Sequence, residues 1–566
     1  MEKKEQEKSN RDGRENDSLE DGVVPPPYGA VRQTNKAFHF DEHDLDRVQR
    51  RLKQRHVQMI AIAGTIGTGL FLGSGGALAT AGPLGALIAY ALVGTVAYSS
   101  LCAVGEMSTW APISGTFPHF AARWVDPALG FATGWNYFYT NAISTPSEIT
   151  AAVILLTFWD HNTDHIPAYT AVLCVLVCLI NIFGVRHSNA NCDYSYFGES
   201  EFIFALIKLT LIIGLLLVGL VVDLGGGPKG DRIGFRYWKN PGAINRAGLV
   251  NSHIGIDRFL AMLSVLVNAA FSFQGMELVV IAASETESPR RNIAKAVRRV
   301  FYRILIFYIL GILMIGMLVA YNDEDLLSLQ GNNTASSSPF VIAIKRAGIN
   351  VLPHIVNGCI FTSAFSAGNS FLFCSSRVLY GLALRGQAPR ILTYCTKKGL
   401  PLYAVLVASC FSFLSFMSVS SGSNKVFVWF VNLSTTGGFT SWFVMNITYI
   451  YFRRGMLAQG YDLTKNSYHN KWQPYVSYWG AAWTLFFIFV NGFAVFWNFD
   501  AAGFLTAYIN IPIFVVLYLG YKVWKRTQIW DPMEMDFVTG IPTLEETEEP
   551  EIPPKNIGEK IADIIF

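Results

Sequence analysis

Six glycines fall between Gly64 and Gly76, inside an apolar run long enough to cross a membrane. Each glycine in a helix interior costs about 1 kcal/mol relative to alanine. A plain spanning helix therefore gains nothing from Ala63-Gly64-Thr65-Ile66-Gly67-Thr68-Gly69-Leu70-Phe71-Leu72-Gly73-Ser74-Gly75-Gly76. In lipid, an opened helix leaves backbone N–H and C=O groups unpaired unless they line a cavity or meet a ligand. The run reads as a transmembrane helix broken around a binding site.

The rest of the chain supports a membrane setting. Of 566 residues 51% are hydrophobic and only 15% charged, against about 25% charged in a soluble domain. At about 20 residues per crossing, the apolar runs give twelve spans: 57–78, 84–104, 129–158, 168–185, 200–222, 259–283, 301–321, 353–380, 402–419, 426–452, 477–498 and 503–524. The organisation expected is a cytosolic tail over 1–50, a polytopic domain over 51–526 and an acidic cytosolic tail over 527–566. The first fifty residues are too hydrophilic to hold the apolar region of a signal peptide.

An even span count puts both termini on one side, and the Lys/Arg bias makes that side cytoplasmic. Arg47, Arg50, Arg51, Lys53 and Arg55 abut the first span, and Arg290, Arg291, Lys295, Arg298 and Arg299 follow the sixth. Loops 79–83, 159–167 and 499–502 on the opposite side hold no Lys or Arg. Loop 223–258 dissents, with Lys229, Arg232, Arg236, Lys239, Arg246 and Arg258, and the other loops outvote it. The sequon Asn332-Asn333-Thr334 then falls outside, making Asn332 a candidate glycosylation site.

A second interrupted segment is Val265-Leu266-Val267-Asn268-Ala269-Ala270-Phe271-Ser272-Phe273-Gln274-Gly275-Met276-Glu277-Leu278, which sets an amide, a glycine and a carboxylate at mid-membrane depth. Interrupted helices in matching positions of two halves mark the site of an inverted-repeat transporter. The fold class expected is all-α integral membrane: twelve transmembrane helices, a five-plus-five LeuT-like inverted repeat with helices 1 and 6 broken, and two extra helices. Freed N–H groups of Ile66 to Gly69 suit a carboxylate. Freed carbonyls near Ala270 to Phe273 suit an ammonium group. Together they match the backbone of an amino acid, with Thr65, Ile66, Gly67, Thr68, Gly69, Phe271, Ser272, Phe273 and Gln274 as substrate-binding candidates and Phe271 and Phe273 able to close over the guest.

The run His56 to Gly76, then Gly105-Glu106-Met107, Ser147-Glu148, the sixth-span motif Phe271 to Leu278, Ala283-Ser284-Glu285-Thr286-Glu287-Ser288-Pro289-Arg290, Ser376-Arg377 and Tyr508-Ile509-Asn510-Ile511-Pro512 closely resemble the fungal amino acid permeases. These form the yeast amino acid transporter family of the amino acid–polyamine–organocation superfamily. The resemblance covers residues 45–540 and looks most like the general, broad-range members. It implies proton-coupled amino acid uptake at the plasma membrane, by alternating access.

Ionisable groups within spans are functional candidates by default. Glu277 follows the sixth-span break; the resemblance gives it a proton- or substrate-linked role, and a neutral acid bonded to backbone is the alternative. Lys208, in the fifth span, resembles a lysine that in related transporters fills a sodium site and exchanges a proton; a structural cation is the alternative. Glu148 is a proton-coupling candidate if it faces the channel, and a helix-packing acid is the alternative. Glu106 and Glu285 read as inner-gate partners of loop Arg or Lys. Glu201, with Glu199, reads as the wet start of the fifth span, and His119 as interfacial. Ser363, Ser366 and Asn369 line the pathway or bond between helices.

Other classes lack their chemistry. No lysine follows the glycines as nucleotide binding requires, no His, Cys or carboxylate cluster has metal spacing, and no basic cluster with aromatics points to nucleic acid. No cofactor, metal or enzymatic activity is expected. The expected partners are amino acid substrate, protons and the bilayer, with ubiquitin ligase machinery at tail lysines such as Lys3, Lys4 and Lys8. A narrow-specificity permease or a nutrient-sensing receptor on the same fold are the alternatives.

Overall fold

A long helix cannot pass a proline without losing a hydrogen bond, and the first long helix turns where Gly82 precedes Pro83. The structure, a computed structural model, describes residues 66–113, 116–183, 188–189, 192–193, 196–280, 288–331, 338–396, 400–543 and 545. Expectations for Thr65, Glu285, Asn332, the N-terminal tail and most of the acidic C-terminal run lie outside these residues. A π-helical turn, Gly69–Gly73, leads into α1, Ser74–Trp110, which bends at Gly82 (φ +75°). A short helix α2, Thr116–Trp124, precedes α3, Pro127–Leu156, whose start is capped by the Asp126 side chain. Then come α4, Ile166–Phe183, and α5, Tyr196–Asp223.

The sixth span is α6, Ile254–Ser264, and α7, Leu266–Phe273. The backbone then unwinds, with Gln274 at ψ 145° and Gly275 at φ +81°. Next are α8, Pro289–Arg303, α9, Leu310–Leu318, and two short helices, α10, Glu324–Gly331, and α11, Pro339–Arg346. The last part holds α12, Leu352–Leu384, α13, Leu402–Ser412, α14, Met417–Ser421, and α15, Ser423–Ala458. It ends with α16, Tyr475–Val490, α17, Ala501–Tyr508, and α18, Asn510–Lys525. Among the described residues the only strands are a two-residue pair, Ser188–Asn189 with Cys192–Asp193.

Among the described residues seven helical stretches, or eight counting the bent α17–α18 pair as one, are long and apolar enough to cross a membrane. The first, Gly69–Trp110, has 42 residues, twice what one crossing needs. Three long helices, α3, α12 and α15, fall outside that set because they carry polar side chains, and those side chains are buried: Asn136, Asn141 and Glu148 on α3, Ser363, Ser366 and Asn369 on α12, Thr436 and Asn446 on α15. Both α12 and α15 pack along α3. Lipid-facing helices are apolar on the outside; the central ones are polar because they face protein.

The bend at Gly82 frees backbone groups that the α5–α6 loop then satisfies. Leu84 N donates to Ala243 O at 2.9 Å and Asn245 N to Ala81 O at 3.0 Å. A Cβ on Gly82 would stand 2.8 Å from Asn245 N, so the loop can seat only on a glycine.

Residues 527–543 do not leave the fold. They lie across the ends of several helices, with Trp530, Met535 and Phe537 buried. Arg123 on α2 donates to Asp536 O and Thr539 O, both at 2.7 Å. Arg290 on α8 donates to Pro542 O at 2.7 Å, and Gln459, just past α15, to Met535 O at 2.7 Å. His119 on α2 is buried, not interfacial as its sequence position implied.

Candidate functional site

The two interrupted spans come closest at Gly69 and Ser272. Ile66 and Gly67 are non-helical and the helix starts at Thr68, while α7 ends at Phe273. A Cβ on Gly69 would stand 2.6 Å from Ser272 Cα, so the backbones meet there in direct contact. The positive end of one half-helix thus lies beside the negative end of another. Ser363 on α12 donates to Ile66 O at 3.0 Å, satisfying one carbonyl freed by the break, and Tyr90 hydrogen-bonds Ser272 at 3.0 Å.

A narrow cleft opens at this junction. The first break contributes Gly67 and Gly69, and the second contributes Phe271, Ser272 and Gln274. Ala367 and Phe371 come from α12 and Glu148 from α3. Gln274 donates through Nε2 to Ser434 O at 2.5 Å, and Gly438 leaves room for that amide. Its Oε1 is buried with no hydrogen-bond partner among the described residues, which leaves an acceptor for a donor in the cleft.

Glu148 is the cleft's ionisable lining group. Its Oε2 accepts from Thr68 Oγ1 at 2.9 Å. The carboxylate therefore sits at the start of the half-helix, where negative charge is favoured. Behind it lies Lys208 on α5, fully buried, whose Nζ has no hydrogen-bond partner among the described residues. Lys208 feels both Glu148 and Glu201 electrostatically. Glu201 is itself buried; it accepts from Ser366 Oγ at 2.9 Å and Asn369 Nδ2 at 3.2 Å.

A profile of the amino acid permease family matches residues 56–531. The chain belongs to the amino acid permease family. It is 39% identical to the dicarboxylic amino acid permease of Saccharomyces cerevisiae, over 95% of this chain and 87% of that one. It is 40% identical to the proline-specific permease of Emericella nidulans (92% and 94%), and 39% identical to the general amino-acid permease of S. cerevisiae (87% and 80%). The solved structure of a manganese transporter from Eremococcus coleocola superposes with TM-score 0.50 at 12% identity, over 84% of this chain and 93% of that one. At that identity the likeness speaks for the fold alone, an all-helical LeuT-like one.

Several expectations for this permease change place. Phe271 lines the cleft, but Phe273 points away, stacked on Tyr308 at 4.4 Å between α1 and the segment after α8. Side chains two apart on a helix face different ways, so only one of the pair can meet the cleft. Glu277 sits one turn past the break and outside the cleft lining; Trp442 Nε1 approaches its Oε2 at 3.5 Å. Glu106 is held by Tyr449 OH at 2.6 Å, Asn470 N at 2.7 Å and His469 at 3.5 Å, in place of a loop Arg or Lys. Ser366 and Asn369 bond between helices and do not line the cleft.

Glu201 was missed as a site residue, as were Ala367 and Phe371. Its spacing from Lys208 carried a signal: seven residues are two helical turns, so both groups share a face. Nothing in one sequence marks Ala367 or Phe371, since α12 carries apolar residues on every side.

Proposed function

We infer that this permease imports amino acids across the plasma membrane by proton symport, with twelve crossings, both termini cytoplasmic and a broad range of substrates. The observation that carries it is Glu148 on the Thr68 helix start. A substrate carboxylate needs those same donors, and an ionised Glu148 beside it would put two negative charges together in a low-dielectric site. A proton on Glu148 removes the conflict and turns an occupant of the donors into a neutral neighbour. The proton and the amino acid then bind together more readily than either does alone, which is the thermodynamic content of symport. The substrate ammonium faces the last carbonyls of α7 and the open Gln274 Oε1.

Coupling supplies enough energy. One charge crossing about 100 mV releases about 2.3 kcal/mol, and one pH unit adds about 1.4 kcal/mol. Together they sustain an accumulation of several hundredfold. The cleft lining holds no cation among the described residues, so within the broad range neutral side chains suit it better than acidic ones, whose burial without a partner is costly. Glycosylation at Asn332 and ubiquitin attachment at Lys3, Lys4 or Lys8 fit the proposed orientation.

Radiolabelled amino acid uptake into transport-deficient cells tests this, measured against external pH, with an uncoupler and with each common amino acid as competitor. Acid-stimulated, uncoupler-sensitive uptake inhibited by many neutral amino acids is expected. Uptake indifferent to pH and uncoupler would refute symport; absence of uptake with intact nutrient signalling would favour a receptor.

A further inference from the structure

Proton loading of Glu148 leaves the buried Glu201 without a task. Glu201 sits on the same face of α5 as Lys208, two turns earlier, and both are sealed from solvent. Each oxygen of Glu201 accepts a hydrogen bond from α12, one from Ser366 and one from Asn369. Asn369 is fixed in turn from α4, where Asn181 Nδ2 donates to its Oδ1 at 2.6 Å. Donors at both oxygens favour the ionised form of a carboxylate over the neutral one. Glu148 differs: Thr68 Oγ1 engages Oε2, while Oε1 faces the cleft, 2.9 Å from where a Cβ on Gly67 would lie.

We propose that Glu201 is a positioning residue for proton loading: it shares Lys208 with Glu148, leaving one uncancelled negative charge in the membrane interior that draws a proton onto Glu148. This rests on the symport reading above. The charged groups facing one another here are Glu148 on α3 and Glu201 and Lys208 on α5. The first break, α12 and α4 present hydroxyl and amide groups: Thr68, Ser366, Asn369 and Asn181. One buried lysine that feels two carboxylates cannot neutralise both, and surplus charge in a low-dielectric interior is expensive. The open position of Nζ, bonded to neither acid, fits a cation shared by field and not owned by one partner. A proton arriving from the cleft binds Glu148 Oε1, no other bond changes, and the group of three becomes neutral.

Glu201→Gln gives Lys208 to Glu148 alone, so that pair is neutral without a proton. Half-maximal uptake should then need at least a roughly tenfold higher external proton concentration, the size of effect a neighbouring opposite charge produces. Glu201→Asp, which restores the charge, should return the midpoint to within about threefold of wild type. The experiment is uptake of labelled alanine between pH 4 and 7, corrected for protein at the cell surface. Should Glu201→Gln fail to reach the surface, Ser366→Ala carries the test, because loosening one grip on Glu201 should move the midpoint in the same acid direction. A Glu201→Gln or Ser366→Ala curve that is lowered uniformly, or unchanged, without moving along the pH axis overturns the proposal and leaves symport standing. Wild-type uptake that ignores pH overturns both.

Discussion

Replacing Gly69 by alanine isolates the contact on which the cleft depends. The added methyl would stand 2.6 Å from Ser272 Cα, 2.9 Å from its N and 3.0 Å from its Oγ. Carbon atoms rest about 3.5–4.0 Å apart, and two of these three neighbours are backbone, which cannot rotate away. The interrupted spans must separate by about 1 Å. Alanine returns about 1 kcal/mol of helix propensity, while overpacking costs about 1–3 kcal/mol, so the folded protein should survive. Function should not, since a displacement of about 1 Å at a positioned site can cost roughly a hundredfold. Uptake of labelled amino acid per molecule at the cell surface should fall about 10- to 100-fold. Gly214→Ala is the control: its Cβ meets nothing within 4 Å, and uptake should stay near wild type. Gly69→Ala retaining more than half of wild-type uptake, or Gly214→Ala falling as far, would refute the idea that the touching backbones shape the site.

Three further outcomes are expected. Glu277→Gln keeps an acceptor toward Trp442, so it should lose at most about fivefold in rate, the worth of one hydrogen bond; a loss of acid stimulation in uptake assays would instead make Glu277 the proton carrier. Phe537→Ala should lower thermal stability in detergent by about 3–5 kcal/mol, because Phe537 is buried against Trp124 and Phe452, each at 5.7 Å; an unchanged melting temperature would contradict its packing. His119 is held neutral, its pKa pushed well below the usual range by burial, with Arg385 and Arg123 adding to the effect. The unfolded chain therefore binds a proton first as pH falls, and stability should drop by about 1.4 kcal/mol per unit below about pH 6.5. His119→Gln should flatten melting temperature against pH across that window, and parallel curves would refute the assignment.

Much of the fold was legible because lipid imposes length and apolarity. The span read as 402–419 is matched by helix over 402–421, and that read as 129–158 by α3, Pro127–Leu156. Short helices were not legible: α2, α10 and α11 have eight or nine residues each and no membrane-length run. The break after Phe273 was legible from Gly275 and Glu277, yet its orientation was not, so Phe273 went to the cleft in expectation and to Tyr308 in fact. Loop 223–258, which dissents from the charge bias of the other loops, has its cations partly answered on the spot: Arg236 meets Asp231 at 2.6 Å and Arg246 meets Asp257 at 3.1 Å. Glu201 was masked by its position near a span end. Burial there comes from α12, a partner that one-dimensional reading cannot assign.

The segment over 527–543 has a practical bearing on handling this protein. It buckles α2, the start of α8 and the far end of α15 into one unit through Arg123, Arg290 and Gln459. Any rocking of α8 against α2 must stretch or undo that buckle. A reporter or affinity tag joined after residue 526 would cut it away, whereas one appended beyond 543 leaves it fastened.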